Sequence, residues 1–324
     1  MTLSIKNLSK SYNEHSVIKD VSLEVERGEI LGLFGAVGEG KSTTIRTIAG
    51  ILEHTGGIIS FNSEDLTNTP CNQRGFHFPN LTNESFWKSL FNTQKISQLA
   101  DGEGQVLALE DALNKAENVL LLDNQFCFMD RQTRETNCEK LRQTVKEKNL
   151  AVIFATNDYD EIFSICDCVA ILHNGEIVQI GTPREVYQNP NSSVVARVTG
   201  RNNLIEAHRL TSSKSDTPEF LTIVGEHRVF TDKVEKNALS AINQNVILAI
   251  RPEHISISFG ASFPEDNLLK AKITNIIFRG ETTIIKLDAN GLELEAMVLR
   301  LVGLNIGDEC MVGLPPDRIL VLKD

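Results

Sequence analysis

The sequence lacks the features that mark several large classes of protein. No apolar run approaches the roughly 18 residues that a membrane-spanning helix needs. The longest apolar runs, Val119–Leu122 and Val246–Ile250 among them, have the length of strands. The first residues, Met1–Lys6, contain no hydrophobic region of a secretory signal. We therefore expect a cytoplasmic protein.

Basic residues are in the minority, with 32 lysines and arginines against 43 aspartates and glutamates and a net charge of −11. Proteins that bind nucleic acid normally present a basic face, so no nucleic-acid partner is expected. The chain has only six cysteines, without a Cys-x-x-Cys pair and without a spacing to histidine that is typical of a metal site. We expect reduced thiols and no zinc site.

Local patterns predict two domains of different class. Over roughly the first 200 residues, short apolar strands alternate with helix-length segments, which is typical of an α/β domain. After Thr199–Asn203, short β-branched runs take over, and Asp288–Gly291 has the composition of a hairpin turn. We predict an α/β domain at residues 1–200 and a small all-β, barrel-like domain at 203–324. Helices are predicted at Lys41–Ala49, Val106–Lys115, Arg131–Lys148 and Asp158–Ile165.

A complete phosphate-binding loop lies between a predicted strand and a predicted helix. Gly35–Ser42 reads GAVGEGKS and follows the apolar run Glu29–Phe34. In this setting backbone N–H groups and the positive end of the helix dipole face an anion. Lys41 is expected on the β- and γ-phosphates, and the Ser42 hydroxyl on Mg²⁺. The predicted phosphate-binding residues are Gly35, Gly38, Gly40, Lys41, Ser42 and Thr43.

A second element of a nucleotide site follows in the sequence. The apolar strand Leu120–Asp123 ends in a carboxylate, and a predicted helix follows it. An aspartate in this place, downstream of a phosphate loop, is expected to bind Mg²⁺ directly or through water. The predicted Mg²⁺ ligands are therefore Ser42 and Asp123.

With these parts the chain resembles the ATP-binding-cassette (ABC) ATPases, specifically the importer type with a C-terminal β-domain that serves maltose, spermidine and ferric-iron systems. The resemblance extends over nearly all 324 residues. Besides the phosphate loop and the strand that ends at Asp123, it is carried by Leu3–Tyr12, Val21–Glu29, Leu172–Tyr187 and Ala249–Ile255.

The resemblance implies an α/β, phosphate-loop nucleotide-binding domain followed by a small all-β, OB-like domain of the TOBE type. It implies ATP and Mg²⁺ as ligands, with Tyr12 stacked on the adenine. It also implies a membrane permease and a second ABC ATPase chain as partners, and a position on the inner face of the cell membrane. The C-terminal domain is expected to regulate the protein or to form a homodimer.

The sequence departs from the family at the residues that hydrolyse ATP. Asn124 stands where the family has a glutamate that polarises the attacking water, and Asn157 stands where it has a histidine that contacts the γ-phosphate. Pro79 replaces a glutamine that touches Mg²⁺. Loss of a general base alone typically costs about 10²–10⁴-fold in rate. We predict little or no hydrolysis, with no catalytic residue intact.

The loop that faces a second ATPase is altered as well. Leu99–Glu103 reads LADGE where the family has LSGGQ, so Ala100 removes a hydroxyl donor. Asp101 and Glu103 bring carboxylates near a polyanion, and ATP-driven closure of a dimer is expected to be weak. The interval between the phosphate loop and the Mg²⁺-binding strand is several dozen residues shorter than in the family, which leaves a shortened helical subdomain at about residues 80–105.

Two hypotheses about function remain open from the sequence. The first is an ATP-binding subunit of an import system that works beside a competent second ATPase chain. The second is a non-catalytic nucleotide-sensing scaffold or regulatory subunit outside transport, which the intact phosphate loop and the shortened lobe favour. A decaying paralogue ranks below both, because drift should also have damaged Gly35–Ser42.

Overall fold

The computed structural model describes residues 2–79, 101–210, 218–232, 242, 244–259, 266–300 and 303–322. The chain forms two compact units, Met1–Gln188 and Asn189–Asp324. Most of the shortened subdomain predicted at about residues 80–105, with Leu99 and Ala100 of the altered loop, lies outside the described residues. The predicted domain bounds, 1–200 and 203–324, stay predictions.

The first unit mixes strands and helices in alternating order. Its strands are β1 (Thr2–Tyr12), β2 (His15–Glu26), β3 (Ile30–Phe34), β4 (Gly56–Phe61), β5 (Glu64–Asp65), β6 (Phe76–His77), β7 (Val119–Asp123), β8 (Ala151–Thr156), β9 (Cys168–His173) and β10 (Glu176–Gly181). Its helices are α1 (Lys41–Ile48), α2 (Asp101–Lys115), α3 (Arg131–Lys148), α4 (Tyr159–Ile165) and α5 (Pro183–Gln188). Among the described helices, none is both long enough and apolar enough to cross a membrane.

An antiparallel sheet in the order β2-β1-β4-β5 forms one layer of this unit. In β2, Val21, Leu23 and Val25 are buried, while the polar residues between them are exposed. This period of two is typical of a sheet with one face on the core and one face in water. The buried face shares a single apolar cluster with α1 and with the second sheet.

The second sheet has the order β10-β9-β3-β8-β7-β6, and all neighbouring strands are parallel except β9 and β10. Every residue of β3 and β8 is buried, as expected for parallel strands covered on both faces. The carboxyl ends of β3, β8 and β7 therefore lie side by side at one edge. This edge is where ligands bind in open α/β sheets.

Two helices of this unit have an aspartate as N-cap. Asp130 caps α3, since its carboxylate accepts from Thr133 N at 3.0 Å, and Asp158 caps α4 by accepting from Asp160 N at 2.9 Å. The predicted start of the helix Val106–Lys115 was wrong, because this helix, α2, begins at Asp101.

The early start of α2 has a physical reason. Glu103 lies exposed in the first turn, where an acidic side chain is favourable beside the helix dipole. Gly102 permits close packing there, because a Cβ at this position would lie 2.7 Å from the Phe128 carbonyl oxygen. The described part of the altered segment, residues 101–103, therefore forms the first turn of α2.

The second unit is built from short antiparallel strands, as predicted. The strands are β11 (Asn203–Arg209), β12 (Glu219–Thr222), β13 (Arg228–Phe230), β14 (Asn245–Ile250), β15 (Ser256–Ser258), β16 (Asn267–Phe278), β17 (Thr283–Ala289), β18 (Leu292–Val298), β19 (Glu309–Leu314) and β20 (Leu320–Leu322). They form two sheets, in the orders β13-β12-β11-β14-β20 and β15-β19-β16-β17-β18, which enclose one apolar cluster. A short helix, α6 (Ser193–Val198), precedes them.

The predicted hairpin turn joins β17 and β18. Asn290 and Gly291 both have positive φ, 53° and 86°, which matches the tight turn that Asn-Gly favours. Asp288 adds a hydrogen bond by accepting from Gly291 N at 2.6 Å. The prediction of a hairpin at Asp288–Gly291 is confirmed.

A buried arginine holds the end of α1. The Arg74 guanidinium is 7% exposed and donates to Ile48 O at 2.6 Å and to Thr47 O at 3.3 Å, which are carbonyls of the last helical turn. It also donates to Thr69 O at 2.7 Å and to Thr67 O at 3.0 Å. Carbonyls at a helix C-terminus lack partners within the helix, so this one side chain satisfies them and joins the helix to the following segment.

We expect Arg74→Ala to lower the free energy of unfolding by about 3 kcal/mol, because hydrogen bonds from a charged donor to buried carbonyls are lost together. Urea denaturation of the full chain measures this. The control is Arg131→Ala, whose side chain is 79% exposed and pairs with Glu135. The control should change stability by less than about 0.5 kcal/mol. Equal losses in the two variants would contradict the capping role.

Candidate nucleotide-binding site

The phosphate loop leaves β3 and enters α1 through glycines at which a side chain would be strained or crowded. Gly38 and Gly40 have φ of 92° and 100°, in the left-handed region that favours glycine. A Cβ on Gly35 would lie 2.3 Å from the Leu172 carbonyl oxygen, and a Cβ on Gly40 would lie 2.9 Å from that of Val17. The loop is therefore pressed against β2 and β9, which leaves its N–H groups to face an anion.

Lys41 lies folded over the loop. Its Nζ donates to Gly35 O at 2.6 Å and to Ala36 O at 2.7 Å, and the residue is 6% exposed. Its pKa lies below the usual value, because burial disfavours the charged form and the carboxylates of Asp123 and Glu39 only partly oppose this. The structure thus places a buried cation against the carbonyl oxygens of the loop, and its contact with the β- and γ-phosphates stays a prediction.

Ser42 and Asp123 lie together, although they are far apart in the sequence. Ser42 Oγ donates to Asp123 Oδ1 at 2.9 Å, and Arg46 lies 3.9 Å from Oδ2 of the same carboxylate. A hydroxyl and a carboxylate oxygen are ligands that Mg²⁺ accepts, usually with phosphate and water completing the shell. Two protein oxygens of this kind fit a Mg²⁺ ion whose remaining ligands come from a nucleotide and from water.

Thr43, the last predicted member of the loop, lies in the first turn of α1. Its carbonyl oxygen accepts from Thr47 Oγ1 at 2.7 Å. N–H groups in the first turn of a helix lack partners within the helix, so the position suits anion binding, and binding of phosphate by Thr43 stays a prediction. The structure thus brings the six predicted loop residues and Asp123 to one edge of the sheet.

Asn124 is turned onto the neighbouring carboxylate. Its φ is 48°, a left-handed conformation that asparagine tolerates, and its Nδ2 donates to Asp123 Oδ1 at 3.1 Å. Its backbone N–H donates to Ala155 O at 2.8 Å, which fixes the residue against β8. An amide in this place cannot accept a proton from water as a carboxylate could.

The sequence did not predict the role of Gln105, which fixes the segment after Asp123. This residue of α2 is 2% exposed, and its Nε2 donates to Asn124 O at 3.3 Å. Its Oε1 accepts from Phe128 N at 2.8 Å, and its own carbonyl accepts from Gln125 Nε2 at 3.0 Å. A glutamine among the apolar residues of a helix is the only signal in the sequence that could have pointed to this contact.

Asn157 lies exposed just after β8, at the edge that carries the phosphate loop. The residues around it form a network, since Thr156 Oγ1 donates to Glu161 Oε2 at 2.6 Å and Arg134 contacts Asp158 at 2.9 Å. Burial raises the pKa of Glu161. These residues line a cleft of about 460 Å³ beside Asn157.

Two further predicted residues lie at the borders of this edge. Tyr12 ends β1 beside the tight connection to β2, is 45% exposed, and has Lys10 Nζ 4.9 Å from its ring centroid. One face of its ring therefore contacts a cation. Pro79 is buried just beyond β6, which pairs in parallel with β7. Adenine stacking by Tyr12 and the lost contact at Pro79 stay predictions.

The fold and these residues define a phosphate-loop nucleotide-binding protein with an appended all-β domain. A family model described as ABC transporter matches residues 18–86, and a model of the TOBE domain matches residues 248–322. A crystal structure of a nucleotide-free ATP-binding cassette from an ABC transporter covers 62% of this chain and 100% of its own, with a TM-score of 0.54 and 19% identity. That likeness shows the fold.

Relatives of known role extend the match to most of the chain. The spermidine/putrescine import ATP-binding protein PotA of Fusobacterium nucleatum is 30% identical over 79% of this chain and 76% of its own length. The Fe(3+) ions import ATP-binding protein FbpC of Haemophilus influenzae is 30% identical over 96% of each chain. The chain belongs to the ABC transporter family, among the import ATP-binding proteins with a C-terminal TOBE domain. The resemblance stated from the sequence is confirmed.

We expect Lys41→Ala to weaken Mg-ATP binding at least about tenfold, because the variant loses the buried cation of the loop. Isothermal titration calorimetry of the full chain measures this. The control is Lys140→Ala, which removes a half-exposed lysine that pairs with Glu110 on α2. Equal affinity for Mg-ATP in wild type and Lys41→Ala would show that the loop does not bind nucleotide.

Proposed function

We propose that the protein is the ATP-binding subunit of an ABC import system, and that it binds Mg-ATP with little or no hydrolysis of its own. The main support for the proposal is the chemical difference between two adjacent residues, Asp123 and Asn124. Asp123 contacts Ser42 as a Mg²⁺ site requires, whereas the next side chain, Asn124, is an amide that donates to the same carboxylate. Asp123 thus keeps an oxygen suited to Mg²⁺, whereas Asn124 lacks the carboxylate that would act as a general base in hydrolysis.

Three other sites contribute to the loss of hydrolysis. Asn157 can donate a hydrogen bond but cannot carry a proton between water and phosphate. Pro79 has no side-chain oxygen for Mg²⁺. Glu103 presents a carboxylate in the first turn of α2, where a partner's γ-phosphate would meet N–H groups in an active pair. These changes act on one transition state, so their effects need not add.

The expected partners are a membrane permease and a second ABC ATPase chain. The support is that the relatives with extended matches are named as import ATP-binding proteins. A permease would hold the protein at the cytoplasmic face of a membrane. The solute is left open, since relatives with equal identity import polyamines or iron. A homodimer held by the C-terminal domain is the arrangement that we expect without ATP.

We expect the wild-type chain to turn over ATP far more slowly than the enzyme median of about 10 s⁻¹. Asn124→Glu alone should not restore turnover, because Asn157 and the altered Leu99–Glu103 segment remain. Steady-state phosphate release at saturating Mg-ATP tests both statements. Rapid release by wild type that Lys41→Ala abolishes would contradict the proposal.

We expect a membrane permease to copurify with the tagged chain from detergent-solubilised cells. Lys41→Ala serves as a comparison, because it reports whether the association depends on nucleotide. Recovery of the chain with only soluble proteins, in both variants, would contradict a transport role. That outcome would support the alternative function, a nucleotide-sensing scaffold or regulatory subunit, which the shortened segment at about residues 80–105 favours.

A further inference from the structure

The phosphate loop contains an acidic residue whose side chain does not extend into solvent. Glu39 lies between Gly38 and Gly40, and its side chain is 15% exposed. Its Oε1 lies 3.1 Å from His173 Nδ1, and its Oε2 accepts from the backbone N–H of Asn174. One carboxylate thus ties the loop to the turn between β9 and β10.

This turn is itself held in place. Asn174 and Gly175 both have positive φ, 51° and 80°, which is typical of a tight hairpin turn. Lys19 N donates to Gly175 O at 2.8 Å, and a Cβ on Gly175 would lie 2.4 Å from the Val17 carbonyl oxygen. Because β2 fixes the turn, the contacts of Glu39 anchor the phosphate loop to a rigid support.

The carboxylate of Glu39 lies close to the lysine of the loop. Its hydrogen-bond partners are a ring nitrogen of His173 and the backbone N–H of Asn174. Its electrostatic interaction with Lys41 favours the charged lysine. A carboxylate built into the loop therefore adds negative charge beside the side chain that is predicted to meet the phosphates.

We propose that Glu39 is a positioning and specificity-determining residue of the nucleotide site. Its contacts with His173 and Asn174 anchor the phosphate loop, and its charge reduces the preference for nucleoside triphosphate over diphosphate. ATP carries an additional phosphate and therefore more negative charge than ADP, so a fixed carboxylate in the loop opposes ATP more strongly. The inference rests on the proposed function, because it assumes that the loop binds adenine nucleotides.

Two substitutions separate anchoring from charge. Glu39→Gln removes the charge and keeps one contact unchanged, because its amide oxygen can still accept from Asn174 N while its amide N–H₂ can only donate toward His173. Glu39→Ala removes both the charge and the contacts. The control is Glu117→Gln, which neutralises an exposed glutamate just before β7, at the opposite edge of the parallel sheet. Calorimetry with Mg-ATP and with Mg-ADP on each full-length variant gives the ratio of the two affinities.

Glu39→Gln should bind Mg-ATP about threefold to tenfold more tightly than wild type, with a smaller gain for Mg-ADP, so that the affinity ratio rises. Glu39→Ala should bind both nucleotides more weakly than Glu39→Gln, because the loop has lost its anchor. Glu117→Gln should match wild type. A merely structural role would leave the ratio of affinities unchanged.

Wild-type binding with an unchanged ratio in Glu39→Gln would overturn this inference and leave the proposed function intact. Binding by Glu39→Gln but not by wild type would support the inference and contradict ATP binding by the natural chain. Absence of nucleotide binding in every variant would contradict both. Thermal unfolding without nucleotide checks that each variant is folded. If Glu39→Ala does not fold, the affinity ratio of Glu39→Gln alone tests the inference.

Discussion

The close packing of the phosphate loop against β2 and the β9–β10 turn is the constraint on which the site depends. Gly35 and Gly40 lie against the carbonyl oxygens of Leu172 and Val17, where any side chain would clash. This contact fixes where the loop N–H groups point and places Ser42 beside Asp123. The order of the parallel strands then brings the remaining site residues to the same edge.

Neighbouring residues of the site are expected to differ in their effects on nucleotide binding and on hydrolysis. The part of the site that is predicted to meet the phosphates has a buried cation and two neighbouring oxygens suited to Mg²⁺. At the position predicted to activate water stands an amide, and Asn124 is held both by Asp123 and by the Gln105 contact. Under the proposed function, nucleotide binding stabilises the subunit without turnover.

Features that depend on local sequence could be predicted, including the strand–loop–helix setting of the phosphate loop and the hairpin at Asp288–Gly291. Contacts between distant segments could not. Nothing near Arg74 or Glu39 in the sequence indicates the carbonyls or the histidine that they meet, because those partners are brought close only by the fold. The predicted start of α2 was also wrong, because Asp101 and Glu103 were interpreted as part of a loop, whereas they lie in the first turn of the helix.

We propose that the site holds ATP without hydrolysing it. This can be tested by identifying the nucleotide that is bound to the full chain after a long incubation with substoichiometric, γ-labelled Mg-ATP. We expect the bound nucleotide to remain ATP and the label to stay with the protein. Release of labelled phosphate in a single turnover by wild type, and not by Lys41→Ala, would contradict it.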